Sequence, residues 1–86
     1  MHRALKVEVP LDIWPRRRDW TGKVVSVVEP GTVVDEGSTI AEVEVEKSII
    51  VVESPARGRV AEVHVRPGDT VKPGMTLVTL EADSVA

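Results

Sequence analysis

The sequence predicts an all-β domain: a flattened β-barrel or sandwich of two four-stranded sheets related by an approximate twofold axis. Three observations predict it, namely the composition, an internal repeat, and strands in which apolar residues alternate with polar ones. Valine occupies eighteen of the 86 positions, and its β-branched side chain favours pleated strands over helices. Trp14 and Trp20 are the only aromatic residues, so we expect a thin core of Val, Ile, Leu and Ala.

Length and composition restrict the class of protein. We expect one domain over residues 1–86, with 82–86 as a tail or the start of a linker. A chain this short buries only about 60% of its unfolded surface, so a deep substrate pocket would remove core that it needs. The net charge of −3 disfavours nucleic acid as a partner, and the absence of cysteine excludes disulfides and thiolate metal sites. No apolar run approaches the roughly 18 residues of a membrane span, so a cytoplasmic protein is expected.

An internal repeat begins at Gly22 and begins again at Gly58. The first copy reads GKVVSVVEPG and the second reads GRVAEVHVRPG, one residue longer. The match continues through two further pairs of segments: 32–37 with 69–74, and 39–44 with 76–81. Each copy reads as a strand, a Pro-Gly turn, a short extended stretch, a turn at a glycine, and a second strand. Because each copy is apolar on one face, the two copies can bury those faces only against each other.

Alternation and turn signals together predict six strands. In chain order they are Leu5–Val9, Lys23–Val28, Thr39–Val45, Ile49–Glu53, Arg59–Val65 and Thr76–Leu80. The first strand alternates apolar and charged residues, and the prolines at 10 and 15 end it in a loop. Pro-Gly pairs at 30–31 and 67–68 end the second and fifth strands, and the pair at 73–74 precedes the sixth.

The joint between the two copies contains the candidate site. In the third strand Val43 and Val45 point inward, so a strand that continued without turning would bury Lys47. Burying an unpaired ammonium group costs several kcal/mol or forces it neutral. The strand is therefore predicted to reverse at Glu46-Lys47, which leaves the lysine exposed at the tip of a hairpin.

At this hairpin the sequence resembles the biotinyl/lipoyl attachment family, and the resemblance covers nearly the whole chain. Lipoyl domains of 2-oxoacid dehydrogenase complexes carry an acidic-Lys-small signature between two similar repeats. Glu46, Lys47 and Ser48 match it, with Glu44 before them. Glu46 departs from the family's usual Asp, and Val45 replaces a more common Thr or Ser. Biotin carriers instead place Met on both sides of their lysine, which Glu46 and Ser48 do not match.

The resemblance implies a non-catalytic carrier that is monomeric in isolation and belongs to, or serves, a dihydrolipoyl acyltransferase component. A lipoate ligase or lipoyl transferase would join lipoic acid to the Lys47 amine, with Glu44, Glu46 and Ser48 as recognition residues. The lipoyl arm would carry acyl groups and electrons between the 2-oxoacid decarboxylase, acyltransferase and dihydrolipoyl dehydrogenase components. Neither a metal, nor a nucleic acid, nor a membrane is implied.

Several alternatives remain open at this point. The chain could be a biotin carrier of a carboxylase, or an unmodified barrel that serves as an adaptor module. Aminomethyl transfer, as in the glycine cleavage H protein, is a further possibility, although those chains are longer and add helices. Lys47 could also be a solvated lysine that discourages pairing at a strand edge.

Two groups of residues are candidates for partner recognition. The loop after the first strand contains Trp14, Arg16, Arg17 and Arg18, and the corresponding loop of related lipoyl domains lies near the modified lysine. The alternative is a tryptophan that caps the barrel beside solvated arginines. Ile49 and Val51 are expected to face outward, where the family's pattern is usually polar. They could dock a partner enzyme, or they could reflect β-propensity alone.

Overall fold

The computed structural model describes residues 2–10 and 20–83, and the regular elements in these ranges are all β-strands. In chain order they are β1 (His2–Glu8), β2 (Gly22–Val27), β3 (Val33–Val34), β4 (Thr39–Val45), β5 (Ser48–Glu53), β6 (Gly58–Val63), β7 (Thr70–Val71) and β8 (Thr76–Asp83). They form two antiparallel four-stranded sheets, with strand orders β1-β8-β6-β3 and β5-β4-β2-β7. The predicted all-β fold class is confirmed. Within the described ranges no helix is long and apolar enough to cross a membrane.

The six predicted strands are all present, but their bounds differ at several ends. Only β4 has the predicted bounds at both ends. The two-residue strands β3 and β7 were predicted only as extended stretches, because two residues are too few to show alternation. β8 continues to Asp83, whereas the sequence predicted a tail from residue 82. Ala82 is fully buried and lies opposite both Arg3 and Gly58, so it belongs to the sheet.

The two repeats are related by an approximate twofold axis that maps β2, β3, β4 and β5 onto β6, β7, β8 and β1. The hydrogen bonds repeat accordingly: the amide of Gly31 donates to the carbonyl of Val60, and the amide of Gly68 donates to that of Val24, each at 2.7 Å. The axis also relates residues 5–10 (LKVEVP) to 50–55 (IVVESP), a correspondence that the sequence reasoning missed. The strand residues of one sheet therefore have twofold mates in the strands of the other sheet.

The twofold axis also places the two ends of the domain. β2 and β6 end side by side in the middle of the molecule, where Val27 and Val63 line the same shallow groove. The molecule measures 40 × 23 × 17 Å, and the mate of the β4–β5 hairpin is the β8–β1 pair, in which His2 lies opposite Asp83. The β4–β5 hairpin and the two ends of the described chain therefore lie at opposite ends of the long axis.

Among residues 2–10 and 20–83, the core lies between the two sheets and consists of aliphatic side chains together with Trp20. Its largest fully buried members are Ile40, Leu77, Leu80, Val9, Val24, Val43, Val60, Val71 and Val78. Trp20 immediately precedes the first repeat and is only 2% exposed. The prediction from composition that the core is built from Val, Ile, Leu and Ala is confirmed, apart from Trp20.

Replacing Trp20 with phenylalanine is expected to change the free energy of unfolding little. None of the described residues accepts a hydrogen bond from its buried Nε1. A buried donor without a partner costs about 1–3 kcal/mol, which offsets much of the apolar area that the smaller ring gives up. Urea unfolding of Trp20→Phe should therefore differ from that of the parent by less than about 1 kcal/mol. A loss of more than about 2 kcal/mol would contradict this expectation and would mean that Nε1 has a partner, such as an ordered water, or that the smaller ring leaves a cavity.

Candidate functional site

Lys47 lies in a two-residue turn that joins β4 to β5. Val45 and Ser48 form the last pair of the β4–β5 ladder, so the chain reverses within Glu46 and Lys47. Glu46 has a φ of 57°, and apart from glycines it is the only residue in the described ranges with positive φ. A positive φ at the first of the two central residues of a hairpin turn gives the turn a twist that matches the twist of the flanking strands. The reversal predicted at Glu46-Lys47 is confirmed.

Buried residues on β4 hold this turn in place. Val43 and Val45 are 0% and 4% exposed, which fixes the strand that leads into the turn. On the neighbouring strand, a Cβ atom at Gly22 would lie 2.6 Å from Val43 Cγ1 and 2.9 Å from Val45 Cγ2. Glycine at this position therefore lets β2 approach β4 closely beside the hairpin. The tip is supported by the core although its own residues are exposed.

The predicted recognition residues around Lys47 are solvent-accessible. Lys47, Glu44, Glu46 and Ser48 are all exposed, and Glu44 lies on the outer face of β4. A primary amine exposed on a two-residue turn can be acylated by an external enzyme. It can then present the attached group to other proteins over a distance that the tether sets. Within residues 2–10 and 20–83, no three carboxylate or imidazole side chains come together to hold a metal ion.

Of the two groups of candidate partner-recognition residues, only the pair on β5 lies within the described residues. Ile49 and Val51 face outward on β5 and are 49% and 48% exposed, while Val52 on the same strand is buried. Their predicted orientation is confirmed. Trp14, Arg16, Arg17 and Arg18 lie outside the described residues, and their proximity to Lys47 stays a prediction.

Val25 is an exposed residue near the site that the sequence reasoning missed. The ladder between β2 and β4 shifts register between Val24 and Ser26, and this bulge leaves Val25 facing outward with 48% exposure. The run of valines in β2 does not show a clean alternation. The weak pattern itself was the signal that a bulge was present.

Comparison with known proteins identifies relatives that carry the same fold. Residues 20–80 match the biotin/lipoyl attachment family, described as "Biotin-requiring enzyme". Over 62 residues the chain is 36% identical to the dihydrolipoyllysine-residue acetyltransferase component of the pyruvate dehydrogenase complex of Bacillus subtilis (strain 168). The match covers 71% of this chain and 14% of that protein, so the chain spans a small part of its relative.

Solved structures give the same picture of the fold. The lipoyl domain of the 2-oxoglutarate dehydrogenase complex of Azotobacter vinelandii superposes with a TM-score of 0.67 at 27% identity, covering 88% of this chain and 94% of that domain. A single-chain, multi-domain long-chain acyl-CoA carboxylase superposes with a TM-score of 0.73 at 24% identity, covering 95% of this chain and 7% of the carboxylase. The urea carboxylase of Kluyveromyces lactis gives 0.72 at 22% identity, covering 91% of this chain and 6% of that enzyme. The two carboxylase matches show the fold alone.

Proposed function

Since the chain belongs to the biotin/lipoyl attachment family, we propose that it is a lipoyl carrier domain whose cofactor is bound through an amide to Lys47. The observation that carries the proposal is the exposed lysine in a two-residue turn at the joint between the two repeats. The cofactor supplies a dithiolane that accepts an acyl group and electrons. The chain supplies an accessible amine from a tight turn at one end of the molecule. In this role the domain carries groups and catalyses no reaction itself.

The residues beside Lys47 favour lipoate over biotin. Glu46 and Ser48 match the acidic-Lys-small signature of lipoyl domains, whereas biotin carriers place methionine on both sides of the lysine. The Bacillus subtilis relative and the Azotobacter vinelandii lipoyl domain are both more similar in sequence than the two carboxylases. Biotin carriage for a carboxylase is the second candidate, because the matching family model covers biotin as well as lipoyl attachment.

The proposed partners follow from the same role. A lipoate ligase or lipoyl transferase would load Lys47, and the components of a 2-oxoacid dehydrogenase-type complex would use the loaded arm. These components are a decarboxylase, an acyltransferase and a dihydrolipoyl dehydrogenase. The assignment to such a complex is supported by the Bacillus subtilis relative, which is a component of one. The cytoplasmic location stays a prediction from composition.

Loading the purified protein with each cofactor in turn tests the proposal. One sample receives a lipoate ligase, lipoate and ATP, a second receives a biotin ligase, biotin and ATP, and a third receives no ligase. Intact mass should rise by one lipoyl group in the first sample alone, with the modified peptide containing Lys47. Modification by biotin alone would assign the chain to a carboxylase. No modification by either ligase would favour an unmodified adaptor module.

A further inference from the structure

Three half-exposed aliphatic side chains lie on the outer face of one sheet, next to the hairpin that presents Lys47. Ile49 and Val51 lie on β5 and Val25 on β2, each 48–49% exposed. Between these strands runs β4, in which Glu44 lies opposite Ile49 and Glu42 lies opposite Val51. Residues directly opposite in an antiparallel pair share one face. We name these three aliphatic residues, with Glu42 and Glu44, the lysine-side face.

The twofold mate of this face provides an internal comparison. The mates of Ile49, Val51 and Val25 are Ala4, Lys6 and Ala61, all exposed at equivalent positions of the other sheet. The mate face contains no large aliphatic side chain at these positions and forms a shallow depression lined by Ala4, Ala61 and Thr79, among others. The same backbone thus folds with Ala and Lys at these positions. The fold alone does not require apolar residues on the lysine-side face.

The charges on this face indicate the chemistry of its partner. Glu42 and Glu44 lie between the aliphatic side chains, and Lys23 lies opposite Glu44 on the other side. Ser26 donates a hydrogen bond of 2.9 Å to Glu42, which holds that carboxylate on the face. The mate of Glu42 is Thr79, but Glu62 lies opposite Thr79 on the mate face, so the two faces differ in their aliphatic residues and not in carrying carboxylates. A partner surface that is complementary to the lysine-side face would have basic side chains among apolar ones.

The short distance between the lysine-side face and Lys47 favours, as the partner, an enzyme that acts on the lysine amine itself. A strand rises by about 3.3 Å per residue, so Ile49 lies roughly 7 Å along the chain from Lys47. An enzyme that acylates the unmodified amine must bring its own surface within one lysine side chain of the turn. An enzyme that acts at the end of a loaded arm can be reached by the flexible tether, so it need not contact the residues beside the turn. The residues nearest Lys47 are thus the ones that the acylating enzyme must cover.

We propose that the lysine-side face docks the enzyme that acylates Lys47, through a surface on which basic side chains stand among apolar ones. This inference rests on the proposed carrier function. Ile49 and Val51 supply the apolar contact, Val25 extends it across β4, and Glu42 and Glu44 pair with the partner's basic groups.

Paired double variants test the proposal. Ile49→Thr/Val51→Thr removes apolar contact but keeps β-branched residues on the strand, and Ala4→Thr/Lys6→Thr makes the same change at the twofold mates. Each protein serves as substrate for the ligase that modifies the parent, with kcat and KM measured separately. For the first variant KM should rise about tenfold, while kcat stays within about twofold. For the control variant both constants should stay within about twofold of the parent.

The outcomes separate the inference from the function on which it rests. An unchanged KM for Ile49→Thr/Val51→Thr, with Lys47 still modified, overturns the docking face and leaves the carrier function standing. A parent protein that neither ligase modifies removes the function and the inference with it. If sedimentation shows a dimer of the parent that Ile49→Thr/Val51→Thr abolishes, the face belongs to a second copy of the chain and the proposal is wrong. Urea unfolding of both variants checks that each is fully folded under the assay conditions, because an unfolded fraction of the substrate would itself raise the apparent KM.

Discussion

Gly58→Ala is expected to lower the free energy of unfolding by about 3 kcal/mol or more. Adding atoms to a well-packed core usually costs about 1–3 kcal/mol, so this would be a large effect. A Cβ atom at this position would overlap the carbonyl oxygen of Glu81 and lie 2.8 Å from the Cα of Ala82. Both are backbone atoms of β8, with which Gly58 is paired. Backbone cannot rotate away as a side chain can, so the β6–β8 ladder must shift. A small domain has only about 5–15 kcal/mol of total stability, so much of it would be lost.

Two other glycines serve as controls for Gly58→Ala. Gly22 is its twofold mate, but there an added Cβ would mainly meet the side chains of Val43 and Val45. Gly22→Ala should cost less, about 1–3 kcal/mol, because side chains can adjust. Gly31 has a φ of +90° and nothing within 4 Å of an added Cβ, so Gly31→Asn should cost less than about 1 kcal/mol.

Urea unfolding followed by circular dichroism measures all three variants. The expected order of destabilisation is Gly58→Ala, then Gly22→Ala, then Gly31→Asn. If Gly58→Ala proved no more costly than Gly31→Asn, the close approach of β6 and β8 would be disproved.

The repeat and the alternation predicted the fold class because both are local in sequence. Apolar residues two apart define a buried face, and a repeated pattern requires a repeated structure. The hairpin at Lys47 followed from one energetic consideration, since an unbroken β4 would have buried a charge. These features need no knowledge of tertiary contacts.

The features that the sequence did not predict depend on tertiary pairing. β3 and β7 are two residues long and form only because each crosses to the sheet of the other repeat. Val25 faces outward because of a register shift against β4. Ala82 was placed in a tail because the predicted strand ended at Leu80, although its burial depends on contacts with β1 and β6. Trp14 and the three arginines lie outside the described residues, so their predicted role is unchanged.

Exchanging two neighbouring residues, in the variant Glu46→Lys/Lys47→Glu, is expected to lower the rate of acylation about 100-fold or more. The exchange keeps composition and net charge, but it moves the amine from the second to the first central position of the turn. Glu46 occupies that first position with a φ of 57°, so its side chain leaves the turn in a different direction from that of Lys47. A displacement of about 1 Å at a reacting group can cost 10²-fold in rate.

The exchange variant tests whether the geometry of the turn, rather than the mere presence of an exposed lysine, defines the site. Lys47→Arg sets the baseline, since it keeps the positive charge and removes the acceptor amine, and we expect no modification of it. Lys23→Arg is the matched control, because Lys23 is exposed on the same sheet but outside the hairpin, and it should be modified as fast as the parent. Intact-mass time courses with the ligase that modifies the parent give all the rates. Rapid acylation of the exchange variant would mean that the enzyme accepts any lysine near the tip, and a fixed position for the amine would then have no role in recognition.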